Sequence, residues 1–113
     1  MMRQLRQSKK KALGKEVDNI VFQIKNSYKP EKIILFGSYA HGRQKENSDV
    51  DIVVIKNTNE RPIRRMMRMA TTIKSPLGAD ILVYTPREWD KALKDGDFFV
   101  KEIADNGKVI YGQ

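Results

Sequence analysis

Cysteine is absent, and histidine occurs once, at His41. Disulfides, thiolate metal sites and cysteine nucleophiles are therefore excluded, and any metal must be held by oxygen ligands or by that one imidazole, which favours magnesium over zinc. Glycine and proline are sparse, with 7 and 4 residues, which excludes a collagenous or low-complexity chain. No apolar run approaches the roughly 20 residues that cross a bilayer. The N-terminal Met1-Met2-Arg3-Gln4-Leu5-Arg6 also lacks the apolar block of a signal peptide, so the expectation is a cytoplasmic protein with no membrane partner. What remains, 40% hydrophobic and 32% charged residues over 113 positions, is the composition of one globular domain with a single modest core.

The net charge of +8 is unevenly placed. Residues 1–32 carry nine lysines and arginines against Glu16, Asp18 and Glu31, whereas residues 33–113 carry thirteen against eleven acids. A cationic segment of this kind attracts nucleic acid, nucleotide phosphates or an acidic protein, or is simply a solvated helix face; both readings stand at this point.

Hydrophobic periodicity sets out the elements. Leu13, Val17, Ile20, Val21 and Ile24 recur at helical spacing, predicting an amphipathic helix that begins after residue 3 and is stopped by Pro30. Lys32–Phe36 and Asp49–Ile55 read as short strands buried on both faces, and Ala79–Tyr84 as a third. Between the last two, Arg61–Lys74 reads as a helix with Ile63, Met66, Met67, Ala70 and Ile73 toward the core and Arg61, Arg64, Arg65 and Arg68 on the opposite face. Helices around 86–95 and 97–106 and a terminal strand at 109–111 complete an α/β arrangement, a small mixed sheet flanked by helices.

One constellation carries chemistry. A buried strand that ends in Gly37-Ser38 and turns into a short helix aims backbone N–H groups beyond the strand end; Gly37 permits close approach of a phosphate, and Ser38 caps the helix or donates its hydroxyl. An ordinary turn explains the same dipeptide. Asp49 and Asp51, two apart on a strand, share a face roughly 6–7 Å apart by strand rise and require a compensating cation if they are buried together. Hard oxygen donors of this kind suit Mg²⁺; the alternative is a turn residue followed by an exposed edge carboxylate. Asp80 opens the next strand. If that strand lies beside the second, three carboxylates converge, as phosphoryl or nucleotidyl transfer requires.

Gly37-Ser38, ten intervening residues and Asp49-Val50-Asp51 resemble the signature of the minimal nucleotidyltransferases of the DNA polymerase β-like superfamily. Gly37-Ser38-Tyr39-Ala40-His41-Gly42 is similar to that family's loop, the segment from Asp80 to its third-carboxylate strand, and Gly107 to Tyr111 to its C-terminal end. The resemblance implies a polymerase β-like nucleotidyltransferase fold in a single domain, 1–113, with a basic N-terminal helix over 1–29 and a catalytic core over 32–113. It further implies transfer of AMP from ATP to a hydroxyl with two Mg²⁺ ions, with Asp49, Asp51 and Asp80 as the catalytic and metal-binding triad. Gly37 and Ser38 would hold the triphosphate, and Arg43 would reach a phosphate or stay solvated. His41 is expected to be exposed rather than catalytic.

The acceptor that the resemblance implies is a tyrosine of a HEPN-domain toxin, with this chain as its antitoxin. A non-catalytic basic module for RNA or a toxin, and an adenylyltransferase acting on a small molecule, are the rival readings. The arginine stripe of the second helix is read either as a contact for RNA or a partner or as a solvated face, and homo- or hetero-oligomers are both open. Exposed methionines there would mark a partner groove, but the spacing of Met66 and Met67 predicts core positions.

Overall fold

The computed structural model describes residues 2–113, with side-chain surroundings from residue 14 onward. Its elements are α1 (Met2–Tyr28), β1 (Lys32–Phe36), a short 3-10 helix (Ser38–His41), β2 (Val50–Ile55), α2 (Pro62–Thr72), β3 (Ala79–Tyr84), α3 (Pro86–Lys94), α4 (Phe98–Asn106) and β4 (Lys108–Tyr111). Every predicted element is present, with ends shifted by one or two residues. The exception is α1, which begins at Met2 and not after residue 3. The predicted core position of Leu13 and the basic side chains of residues 3–11 lie outside the described side chains.

The four strands form one mixed sheet in the order β3-β2-β1-β4. β1 runs antiparallel to both β2 and β4, whereas β2 and β3 are parallel, joined through α2. The continuous apolar runs of β1 and β2 follow from burial on two faces. On one face Val50, Ile52 and Val54 pack with Ile33 and Leu35 beneath Ile20 and Ile24 of α1 and Met69 of α2. On the other, Ile34, Val53 and Ile55 meet Trp89 of α3 and Val100 and Ile103 of α4. Alternation along β2 therefore puts Asp51 in the row of Val53 and Ile55, at the end of the second face.

The orientation of α2 corrects the sequence reading. Ile63, Met66 and Met67, expected in the core, are 61%, 53% and 59% exposed, whereas Arg65, expected on the outer basic face, is 5% exposed. Arg65 turns inward because its donors are met there. Its Nε donates to the carbonyl of Glu60 at 2.8 Å, and its Nη1 and Nη2 donate to the Glu88 carboxylate at 2.6 and 3.3 Å. A guanidinium so satisfied tolerates burial, and Met69, one turn on, supplies the apolar contact beside it. Arg68 is also engaged, by Glu60. The four-arginine stripe is thus not a free cationic face.

Glu88 serves two elements. It accepts from Arg65 and, as N3 of α3, accepts the backbone N–H of Thr85 at 2.8 Å, while the Thr85 hydroxyl accepts from the Glu88 N–H at 3.1 Å. This capping box, with Pro86 in the first turn, starts α3 directly after β3. The Arg65 hydrogen bond, aided by the Thr85 N–H, holds the Glu88 carboxyl below its ordinary range. Stability from this contact is complete above the ordinary glutamate value and is lost as pH falls through the lowered one. Glu88→Ala is expected to cost about 1.5–3 kcal/mol, the range for hydrogen bonds to charged groups. Urea unfolding at neutral pH measures the loss, and the variant's stability should vary less with pH in the acid limb than the wild type's.

Candidate active site

β2 is the central element of the site because it pairs on both sides. Asp51 lies opposite Phe36 of β1 and opposite Asp80 of the parallel strand β3. Residues in register on adjacent strands point to one face about 4.8 Å apart, so Asp51 and Asp80 stand side by side. Asp49 precedes β2 by one residue, and the Val50 N–H donates to the Gly78 carbonyl at 2.8 Å, tying the mouths of β2 and β3 together. The sequence left it open whether β3 lies beside β2; it does, and Asp80 stands in register with Asp51.

Two glycines make room for the carboxylates. Gly37 has φ 73° and ψ −155°, a region that only glycine enters without strain. A β-carbon on it would overlap the Asp51 carboxylate. A β-carbon on Gly78 would in turn overlap the Asp49 carboxylate. The sequence reading found the first glycine through its motif and missed the second. Its signal, a glycine two residues ahead of a strand-opening aspartate, was available at Gly78-Ala79-Asp80.

Burial, followed by the negative charges of Asp80 and then Asp49, raises the Asp51 carboxyl above the ordinary aspartate range. Among the described residues, no basic side chain is among the charges acting on it. Arg43, expected near the phosphates, is exposed; only its backbone is fixed, the N–H donating to the Ser38 carbonyl at 2.9 Å. Ser38 is half-buried as the first residue of the 3-10 helix, with Gly37 in the cap position that the sequence reading allowed for Ser38. His41 is exposed, as expected.

Asp51 and Asp80 form part of the floor of a cleft of about 650 Å³, walled by Met66, Ala70 and Ile73 and by Phe99 at the start of α4. Phe99 meets Phe36 edge-on, with ring centroids 5.8 Å apart, and both rings also border a smaller slot of about 240 Å³ that contains Gly37 and His41. The aromatic pair thus stands between the glycine turn and the open cleft. Neither ring was singled out by the sequence.

A family model described as polymerase beta, nucleotidyltransferase, matches residues 18–113. The chain belongs to this nucleotidyltransferase family. A Methanocaldococcus jannaschii protein carrying the provisional name protein adenylyltransferase is 35% identical over 84 residues, which cover 73% of this chain and 80% of that one. Another of the same provisional name and organism is 56% identical over 32 residues, 28% of this chain. The match spans only 37% of that relative's length, and 39% of a further one. Among solved structures, a provisionally named nucleotidyltransferase from Sulfolobus solfataricus superposes with a TM-score of 0.61 at 20% identity, over 88% of this chain and 79% of that one. A toxin–antitoxin crystal structure with AMP-PNP gives 0.54 at 23% identity, over 85% and 73%. These two likenesses show the fold of the nucleotidyltransferase family.

The donor set in this nucleotidyltransferase fits a hard divalent cation. Among the described residues it offers carboxylate oxygens, and the central one is desolvated beside two like charges with no described cation to offset them. Among the described residues no three such side chains converge as they stand on one point, so closing around an ion requires side-chain rotation.

Three outcomes are expected from this geometry. In metal-free buffer the raised Asp51 value means that stability is fullest below the ordinary aspartate range and declines as pH rises through the raised value. Asp51→Asn should therefore stabilise the fold at neutral pH by about 0.5–2 kcal/mol, read by thermal unfolding with chelator present. Gly78→Ala should leave stability within about 0.5 kcal/mol, since only a carboxylate tip must move. Gly37→Ala should cost about 1–3 kcal/mol through its backbone angle.

Proposed function

We propose that this chain is a Mg²⁺-dependent adenylyltransferase that moves AMP from ATP to a hydroxyl of a protein partner. The observation that carries the reading is the register of Asp51 against Asp80 beside Gly37. Asp49, Asp51 and Asp80 are the residues that would hold magnesium. Bound there, the ion would neutralise the crowded carboxylates and withdraw charge from the triphosphate.

The chain's own residues divide the remaining work. Gly37, lacking a side chain, leaves the backbone of the turn open to phosphate oxygens, with the Ser38 hydroxyl beside it. Arg43 is the nearest arginine in sequence to that turn and is the candidate for an outer phosphate contact. Asp80, exposed at the edge of the sheet and in the cleft, takes the acceptor's hydroxyl proton. The hydroxyl oxygen then bonds to the α-phosphorus while the bond from that phosphorus to the bridging oxygen of the β-phosphate breaks. Pyrophosphate carries away that electron pair.

The finer reading is a toxin–antitoxin pair in which the acceptor is a tyrosine of a HEPN-type toxin. It is supported by the family motif and by the fold shared with a toxin–antitoxin structure that contains AMP-PNP. The provisional name of the Methanocaldococcus relatives, protein adenylyltransferase, supports a macromolecular acceptor over an antibiotic.

Incubation with Mg²⁺ and ATP labelled at the α-phosphate should transfer label to a co-expressed HEPN partner, and EDTA should abolish it. Asp51→Asn or Asp80→Asn should lower the rate by about 10²-fold or more while each variant still unfolds cooperatively. Gly78→Ala, displacing the Asp49 carboxylate, should lower it by roughly tenfold. Transfer persisting in both aspartate variants overturns the site.

A further inference from the structure

Outside the carboxylate cluster, the least explained feature is the outer face of α2. Ile63, Met66 and Met67 are all more than half exposed on one short helix. Met66 is also a wall of the cleft that contains Asp51 and Asp80, so the strip and the cleft are one continuous surface. Across the cleft the wall is apolar again at Phe99, 46% exposed. Of the described side chains lining the cleft only Asp51, Asp80 and Ser75 are polar. A polyhydroxylated or polycationic small molecule would find few partners on such walls.

Charge narrows the occupant. Arg65 and Arg68 are committed to Glu88 and Glu60, but Arg61, which caps α2, and Arg64 in its first turn are exposed and share a shallow depression with Ile63 and with Glu60, whose carboxylate Arg68 already holds. The apolar strip is therefore bordered by cations at its outer end and by carboxylates at its inner end. We propose that the Ile63–Met66–Met67 face and the cleft behind it form the docking surface of a protein, which presents an amphipathic segment with acidic side chains beside its apolar anchors. The acidic border meets Arg61 and Arg64, the anchors cover the methionines, and the segment runs inward toward Asp80. Methionine suits such a surface because its unbranched thioether adapts to different side chains. That the docked protein is also the acceptor rests on the adenylyltransferase reading; the docking itself does not.

The test uses a synthetic amphipathic peptide with leucines on one face, glutamates along the border and one tyrosine, and a twin with lysines for glutamates. Fluorescence anisotropy should show the acidic peptide bound roughly tenfold more tightly than its twin, and Ile63→Glu and Met67→Glu should each weaken it roughly tenfold. Both variants should bind Mg-ATP as the wild type does. No binding by the wild type, equal binding of the twins, or unchanged affinity in both variants overturns the proposal. So does a single-stranded RNA that binds the wild type more tightly than the peptide and competes for the strip. Loss of a wild-type homodimer in the variants without loss of peptide affinity also overturns it, since the strip would then serve a second copy. If the peptide binds as expected but no label is transferred to any acceptor, the adenylyltransferase reading fails while the docking surface stands.

Discussion

Three negative charges gathered at the mouth of two parallel strands, with no cation among the described residues acting on the central one, are the constraint around which the rest of this structure is arranged. Left to packing alone, the position of Asp51 would be taken by another valine or isoleucine, since Val53 and Ile55 continue its row into the core. The chain keeps a carboxylate there at a cost in stability and clears space for it with Gly37, as Gly78 does for Asp49. Local conflict of this kind, in an otherwise consistent α/β core, is what separates a working site from scaffold. It also accounts for the fit to a hard divalent cation, because the repulsion that burdens the free protein becomes attraction once a cation enters.

The second organising contact is the buried Arg65. By reaching the Glu60 carbonyl and the Glu88 carboxylate it fixes the rotation of α2 about its own axis, and that rotation decides which side of the helix faces water. An ion pair thus places the methionines outside and beside the cleft. The same Glu88 begins α3, so the helix that walls the cleft and the helix that follows β3 are positioned through one carboxylate.

Most of the architecture could be read from the amino acids, and the particular successes and failures share one physical cause. Strands β1, β2 and β3 announce themselves because burial on two faces demands unbroken apolar runs, and Pro30, Pro62 and Pro86 punctuate the helices. Asp51 and Asp80 were recognisable because carboxylates interrupt such runs. Their juxtaposition was not, since strand order is a property of the whole sheet and leaves no local mark. The rotation of α2 was misjudged for a related reason: periodicity counts arginine as polar and outward, and cannot see that Glu88, twenty-three residues on, satisfies it. Gly78 was overlooked because what it accommodates, the Asp49 side chain, comes from a distant part of the chain, the residue before β2.

The sheet order has a mechanical corollary. β2 is laced on both sides, to β1 and to β3, whereas β3 has a single strand neighbour. Asp51 is therefore carried by an inner strand held on both sides and Asp80 by an edge strand, a margin that opens more readily to solvent. The pocket acts like a vice with one anchored jaw and one compliant jaw. In the proposed reaction a hydroxyl delivered from outside would meet the compliant jaw first, so differently shaped entrants would be accommodated there without disturbing the grip proposed for the nucleotide.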